Sequence, residues 1–193
     1  MKSLILTSRF ISIHVTKFLF YINNVKSEGM RAKGIPYLSI NFRGVLIISE
    51  RFKMNNGMQG NVILRPQRFV IIIGRGAQMK IGNNVGISQS AIICRKKIET
   101  GDNVKIGGGV CIYDTDFHSL KSTDRLSPNL DKENTVNKSI KIEGNVFIGA
   151  HSTILKVVTI GENSIIGAGS VISKSIPANE IWAGNPVKFI KNI

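Results

Sequence analysis

The chain has 193 residues, 42% of them hydrophobic and 7% aromatic, enough aliphatic material for one cored domain and too much for a disordered chain. Its net charge of +14 is lopsided: residues 1–97 hold 16 Lys/Arg against Glu28 and Glu50, while residues 98–193 hold 10 of each sign. Two cysteines, Cys94 and Cys111, exclude a disulfide framework and a Cys-rich metal cluster, and read as reduced thiols.

Residues 1–34 are predicted to form an amphipathic helical arm. Leu4, Ile5, Leu6, Phe10, Ile11, Ile13, Val15, Phe18, Leu19, Phe20, Tyr21, Ile22 and Val25 are interrupted by Arg9, His14 and Lys17. The stretch is too short and too charged for a membrane span, which needs ~20 apolar residues. No small-residue cleavage site of a signal peptide is evident. Two roles fit residues 1–30: a cap over the end of the domain that follows, or a helix lying in a membrane interface. The basic half needs an anionic partner and has no recognisable nucleic-acid motif, so a membrane surface or a phosphate-bearing substrate fits better than nucleic acid.

Residues 35–176 are predicted to be an all-β solenoid. Ile142, Ile148, Ile154, Ile160, Ile166 and Ile172 stand six residues apart, a period that belongs neither to a helix nor to a flat strand. A solenoid with six residues per flat side places one such side chain per side in its core, and hexapeptide repeats of this kind build a parallel β-helix. An ordinary β-sandwich does not produce so many equal intervals. Val146, Ser152, Val158, Ser164, Ser170 and Ile176 fill the second inward position, mostly with small residues. The glycines of Ile148-Gly149, Ile160-Gly161 and Ile166-Gly167 are expected at bends, where Gly tolerates φ > 0. Upstream, Ile81, Ile87 and Ile93 form a second run with Val85 and Ala91, and Ile106 and Ile112 a third with Val110. Ile73-Gly74 and the stretch Ile35 to Ile63 read as degenerate turns. A break of phase between Ile93 and Ile106 predicts a bulge around Arg95-Lys96-Lys97.

Residues 113–141 break the repeat with Pro128, three Asn and five of the chain's twelve acids. They read as a loop thrown out from one corner, and long loops in compact folds tend to carry function. Residues 177–193 form a short C-terminal tail.

The last third reads Phe147-Ile-Gly-Ala-His-Ser-Thr-Ile-Leu, then Thr159-Ile-Gly-Glu-Asn-Ser-Ile-Ile-Gly-Ala-Gly-Ser-Val-Ile, then Ala183-Gly-Asn-Pro-Val-Lys. Over roughly residues 75–193 this resembles the hexapeptide-repeat acyltransferases. It is similar above all to the maltose and galactoside type and to O-acetyltransferases of polysaccharide biosynthesis. The resemblance implies a left-handed β-helix, an exception to the usual crossover hand. It also implies a homotrimer with active sites between subunits, acetyl-CoA as donor, and no metal.

An O-acetyltransferase must make a hydroxyl nucleophilic, and a His is suited to take that proton. His14 lies in the apolar arm, and His151 falls where relatives carry a His that is not their base. His118, where the solenoid opens into the loop, matches the family's catalytic His. It is expected to deprotonate the acceptor for direct attack on the thioester, without a covalent Cys111 intermediate. Asp116 and Asp114 flank it and either orient the imidazole, hold sugar hydroxyls or serve the turn. Arg125 is a candidate acceptor contact. By family position the pantetheine arm runs along Gly149, Ala150, Ala168 and Gly169, with Ser170 close by and Phe147 against it. Lys174 and Lys188 match positions whose side chains approach the nucleotide phosphates, and Trp182 is expected to pack the tail.

Two departures bear on the acceptor: Gly107-Gly108-Gly109 stands where relatives often carry Ala-Pro-Asn or Ala-Pro-Gly, and Val157 replaces a usual Gly. The leading reading is an acetyltransferase for a glycan such as a lipopolysaccharide, capsule or exopolysaccharide precursor, with the acceptor carried on a membrane lipid. The enzyme is then cytoplasmic and peripheral on the inner face of the membrane. A soluble acetyltransferase of an antibiotic or small sugar, and a non-catalytic scaffold, are the competing readings. A zinc-dependent carbonic anhydrase of the same solenoid class needs three convergent His, a spacing this sequence does not offer.

Overall fold

A computed structural model describes residues 2–56 and 68–193, with side chains from Phe10 onward in the N-terminal helix. Leu4, Ile5 and Leu6 of the expected arm lie outside the described side chains, and Ile63 lies outside the described residues. Helix α1 spans Lys2–Ile22. Among the described residues, short strands stack in sheets of eight, six and five, parallel but for the last strand. This is a left-handed parallel β-helix.

The registers explain the period of six. One face stacks Met54, Ile87, Ile106, Ile148, Ile166 and Trp182. The second stacks Ile71, Ile92, Ile112, Ile154 and Ile172. The third stacks Ile48, Ile81, Thr100, Ile142, Ile160 and Ile176. A strand of two residues sends one side chain out and one in, so each side contributes one β-branched Ile to a column. The six ladder isoleucines, Ile142, Ile148, Ile154, Ile160, Ile166 and Ile172, are 0% exposed. Each such burial contributes roughly 1.5–3 kcal/mol.

Two expectations change. In the strand Ala91–Cys94 it is Ile92 and Cys94 that face inward, while Ile93 is half-buried. Ser90, not Ala91, takes the small inner position. The phase therefore slips between Ile87 and Ile92, and the adjacent isoleucines Ile92-Ile93 hid the slip. The glycines after the ladder isoleucines are not in the left-handed region. They are required by coil stacking: a Cβ on Gly149 would lie 2.5 Å from the Ala168 nitrogen, and one on Gly167 2.7 Å from the Ala183 Cβ. The left-handed corners fall elsewhere. Asn84, Asn103, Asn145, Asn163 and Asn179 take φ between 53° and 63°. Their amides hydrogen-bond one to the next at 2.8–3.1 Å, a column of Asn down one edge. Asn tolerates this conformation better than other non-glycine residues.

Both ends are covered. The strand Arg31–Lys33 already pairs with Lys53–Asn55, and α1 lies over this end with Ser12, Thr16 and Phe20 buried. At the other end, Glu180–Ala183 pairs in parallel with Ile165–Ile166 and turns back into Lys188–Asn192. The expected tail 177–193 is thus a hairpin closing the last coil.

Candidate active site

The loop leaves after Cys111–Tyr113 and returns at Ile140–Ile142. Its two stems are tied together: Lys138 N–H donates to the Asp114 carbonyl at 2.9 Å, Asp116 N–H to the Val136 carbonyl at 3.1 Å, and Thr115 bridges Asn137. Asp114 anchors the base. Its carboxylate is fully buried and accepts the backbone N–H groups of Arg95 at 2.6 Å, Lys96 at 2.8 Å and Lys97 at 2.7 Å. The predicted irregularity at Arg95-Lys96-Lys97 is this corner, held by a side chain one coil later. Asp114 therefore cannot bind substrate, because every described contact of its carboxylate lies inside the solenoid. Burial, together with the charge and hydrogen bond of Asp114, pushes the Cys94 thiol up to about 12. Burial also raises the Cys111 thiol. Both are poor nucleophiles at neutral pH.

The loop is organised by carboxylates that the sequence reading did not single out. Buried Asp124 accepts from Ser119 Oγ and from Asn134 Nδ2, each at 2.9 Å. A 3₁₀ turn, Asp124–Leu126, leads into α2, Pro128–Glu133. Asp131 of α2 reaches back into the loop. Its Oδ2 lies 2.7 Å from His118 Nδ1, and its Oδ1 accepts the Ser119 N–H at 2.6 Å. An ionised carboxylate only accepts, so Nδ1 carries a proton, and in the neutral ring the lone pair is on Nε2. His118 is 69% exposed, so that lone pair belongs to an accessible ring. The hydrogen bond from His118, then that from Ser119, hold the Asp131 carboxyl below its ordinary range. Before His118, Phe117 takes φ +63°, its N–H donating to Thr115 Oγ1 at 3.1 Å and its ring against Tyr113. Such a conformation is costly for a bulky residue and clusters at functional sites.

Asp131, not Asp116 or Asp114, thus orients the imidazole. Asp116 pairs instead with Lys156, Oδ1 to Nζ at 3.0 Å, and its buried Oδ2 has no hydrogen-bond partner among the described residues. The pair lines a cleft of about 360 Å³ with Tyr113, Phe117, Leu155 and Ser173. Next to Lys156, Val157 adopts φ +72°, which explains why a Gly is usual there. Arg125 donates from Nη1 to the Ser119 carbonyl at 2.7 Å, so it braces the loop. The signal for Asp131 was present: an acid in the first turn of Ser127-Pro-Asn-Leu-Asp, within reach of a loop His.

The residues expected along the pantetheine fall on one edge. Gly109, His151 and Gly169 are its left-handed corners, with φ of 72°, 62° and 70°. Ala150 is half-buried beside them, Ala168 and Gly169 are exposed, and a Cβ on Gly169 would meet open space. Phe147 is 48% exposed nearby in the sheet and Gly149 is buried under Ala168. Ser170 is a correction: fully buried, its Oγ donates to the Gly167 carbonyl at 2.6 Å and accepts the Gly184 N–H at 3.0 Å, so it staples the corner from within. Lys174 Nζ sits 4.8 Å from the Trp182 ring centroid, and Lys188 is exposed opposite Ala183 in the closing hairpin.

Residues 139–174 match the family model described as bacterial transferase hexapeptide, six repeats. No curated protein sequence matches the chain. Among solved structures the chain is similar to galactoside acetyltransferase in complex with coenzyme A, at 32% identity over 74% of this chain and 64% of that one, TM-score 0.56. The chain therefore spans less than two thirds of that protein. A hexapeptide-repeat acetyltransferase from Vibrio cholerae complexed with acetyl coenzyme A is 23% identical, covering 86% of this chain and 71% of that one, TM-score 0.54. A mutant N-acyltransferase from Bacillus cereus in complex with dTDP and coenzyme A is 22% identical, covering 91% and 88%, TM-score 0.65. The last two likenesses speak to fold.

Proposed function

We propose that this chain, which carries the bacterial transferase hexapeptide repeat on the left-handed β-helix of hexapeptide-repeat acetyltransferases, is an acetyl-CoA-dependent O-acetyltransferase acting on a sugar hydroxyl of a glycan or polysaccharide precursor. The observation that carries the reading is the His118–Asp131 pair at 2.7 Å in a loop tied down by buried side chains. Asp131 fixes the tautomer, His118 Nε2 accepts the proton of the acceptor hydroxyl, and the imidazolium so formed faces the carboxylate. The same Nε2–H then returns the proton to the departing sulfur. Acetyl-CoA, when bound, supplies the activated acyl thioester. The chain has room for it: the exposed corner of Ala168 and Gly169 carries no side chain beyond Cβ, Phe147 stands half-exposed in the sheet, and Lys188 is free for a phosphate. The proposed active form is a homotrimer, in which a neighbouring subunit covers the open side of His118.

Titration of the purified protein with acetyl-CoA by calorimetry tests this reading. Saturable binding near one site per subunit is the expected result. A folded protein that shows no binding up to millimolar ligand returns the scaffold reading.

The proposal includes peripheral attachment to an anionic membrane from the cytoplasmic side. What supports it is the outer side of α1, where Phe10, Ile11, Phe18, Tyr21 and Ile22 are each more than half exposed beside Lys17. The other side caps the solenoid, so one helix serves both roles weighed for the arm. No described helix is long and apolar enough to cross a membrane. Vesicles containing phosphatidylserine should co-sediment the protein, and Phe18→Glu with Tyr21→Glu should cut the bound fraction at least tenfold. Equal recovery of wild type and variant would remove the membrane from the proposal.

A further inference from the structure

Beneath the loop lies a second, larger cleft of about 480 Å³. Its walls include Arg75, Arg95, Phe117, Asp131 and Lys132. Arg75 follows the strand Val70–Ile73, and Arg95 follows Ala91–Cys94, the strand paired directly with it. Lys132 comes from α2, one residue beyond the carboxylate that holds His118. Three cations thus face one anion, and that anion is already taken by His118 and the Ser119 N–H. Among the described residues, none of the three cations reaches a carboxylate within 4.0 Å.

The arginines are also held in place. The Arg95 stem runs over the bare backbone of Gly74, where an added Cβ would lie 3.0 Å from Arg95 Cδ. The Arg75 guanidinium stands 5.6 Å from the Phe42 ring centroid, a cation–π distance. Asp114 takes the backbone N–H of Arg95 and leaves its guanidinium to the cleft. Arranged cations without an acidic partner are what an anion site needs, and a planar guanidinium fits phosphate and carboxylate oxygens two at a time. A neutral sugar offers hydroxyl acceptors but no charge to offset three cations.

We infer that this cleft is the acceptor subsite and that the acceptor bears an anionic group, a phosphate or a carboxylate, close to the sugar hydroxyl presented to His118. Phe117 then offers its exposed ring to the sugar face, and Asp131 links the anion-binding wall to the base. The inference rests on the acetyltransferase reading for the word acceptor, and on the cleft alone for the charge of the ligand.

Glucose 1-phosphate, glucuronate and methyl glucoside, titrated by calorimetry at low ionic strength, separate the possibilities. At least one of the two anions should bind ten times more tightly than methyl glucoside. A lead for glucose 1-phosphate identifies a phosphate, and a lead for glucuronate a carboxylate. Added salt should erode the preference. Arg75→Gln with Arg95→Gln should abolish it while leaving the acetyl-CoA titration unchanged, since both side chains are exposed and outside the proposed cofactor edge. Equal binding of all three probes, or a preference that survives the double substitution, overturns the inference. Loss of acetyl-CoA binding in the wild-type protein, with the anion preference intact, would instead fell the acetyltransferase reading and leave the anion site standing.

Discussion

On the proposed mechanism, His118→Ala is expected to lower kcat by about 10²–10⁴-fold, the range of a general base, and to leave acetyl-CoA affinity within a factor of two. The separation follows from geometry, because His118 stands in the loop and the proposed cofactor edge lies on the coils around Ala168 and Gly169. Asp131→Asn should approach the same loss without moving an atom far. The Ser119 N–H demands an acceptor at Oδ1, so the amide would turn its NH₂ toward His118 Nδ1. That shifts the ring proton to Nε2 and removes the lone pair the reaction uses. Steady-state kinetics with any accepted sugar reads both effects. A His118→Ala enzyme with more than a tenth of wild-type kcat would end the base assignment.

The pair also has a pH signature. The Asp131 carboxyl is held below its usual range by His118 first and Ser119 second. A depressed pKa contributes stability that is present above the unfolded value, near 3.9, and is lost as pH falls through the lower folded value. Across neutral pH Asp131 therefore stays ionised. Loss of activity on mild acidification thus does not report on Asp131.

The largest effect on stability is expected at Asp114. Asp114→Ala strips three backbone N–H groups of one buried acceptor, and hydrogen bonds to a charged group contribute roughly 1.5–3 kcal/mol each. A loss of about 3–5 kcal/mol is expected in denaturant unfolding, allowing for water entering the space. Asp114→Asn keeps one acceptor oxygen and should cost roughly half as much. Because the Asp114 carbonyl also ties down the returning stem at Lys138, activity should fall with stability. A change below 1 kcal/mol would show that the corner at Arg95-Lys96-Lys97 does not depend on this carboxylate.

The solenoid was legible because its inward column is monotonous: an Ile per side cannot be mistaken once it repeats from Ile142 to Ile172. It blurred at Ile92-Ile93, where two adjacent isoleucines offer two phases and only the paired strands decide between them. The glycines after the ladder were visible, but their reason was not. Contact with the next coil is a property of the stack, and local backbone preference carries no trace of it. His118 was singled out because its position in the chain resembles that of a known base. Asp131 was missed because its partnership spans thirteen residues through a short helix, and no period connects the two. Asp114 and Asp116 had the right residue type beside the base. Burial sent one into the solenoid wall and Lys156 drew off the other.

The loop enters and leaves at a single corner, and its stems are tied to each other. Ile112 still pairs directly with Ile154 across the inserted segment. An insertion arranged in this way is silent to the register of everything above and below it. The stretch between Asp116 and Val136, inside the tied stems, is consequently the part that can change length without recutting a coil.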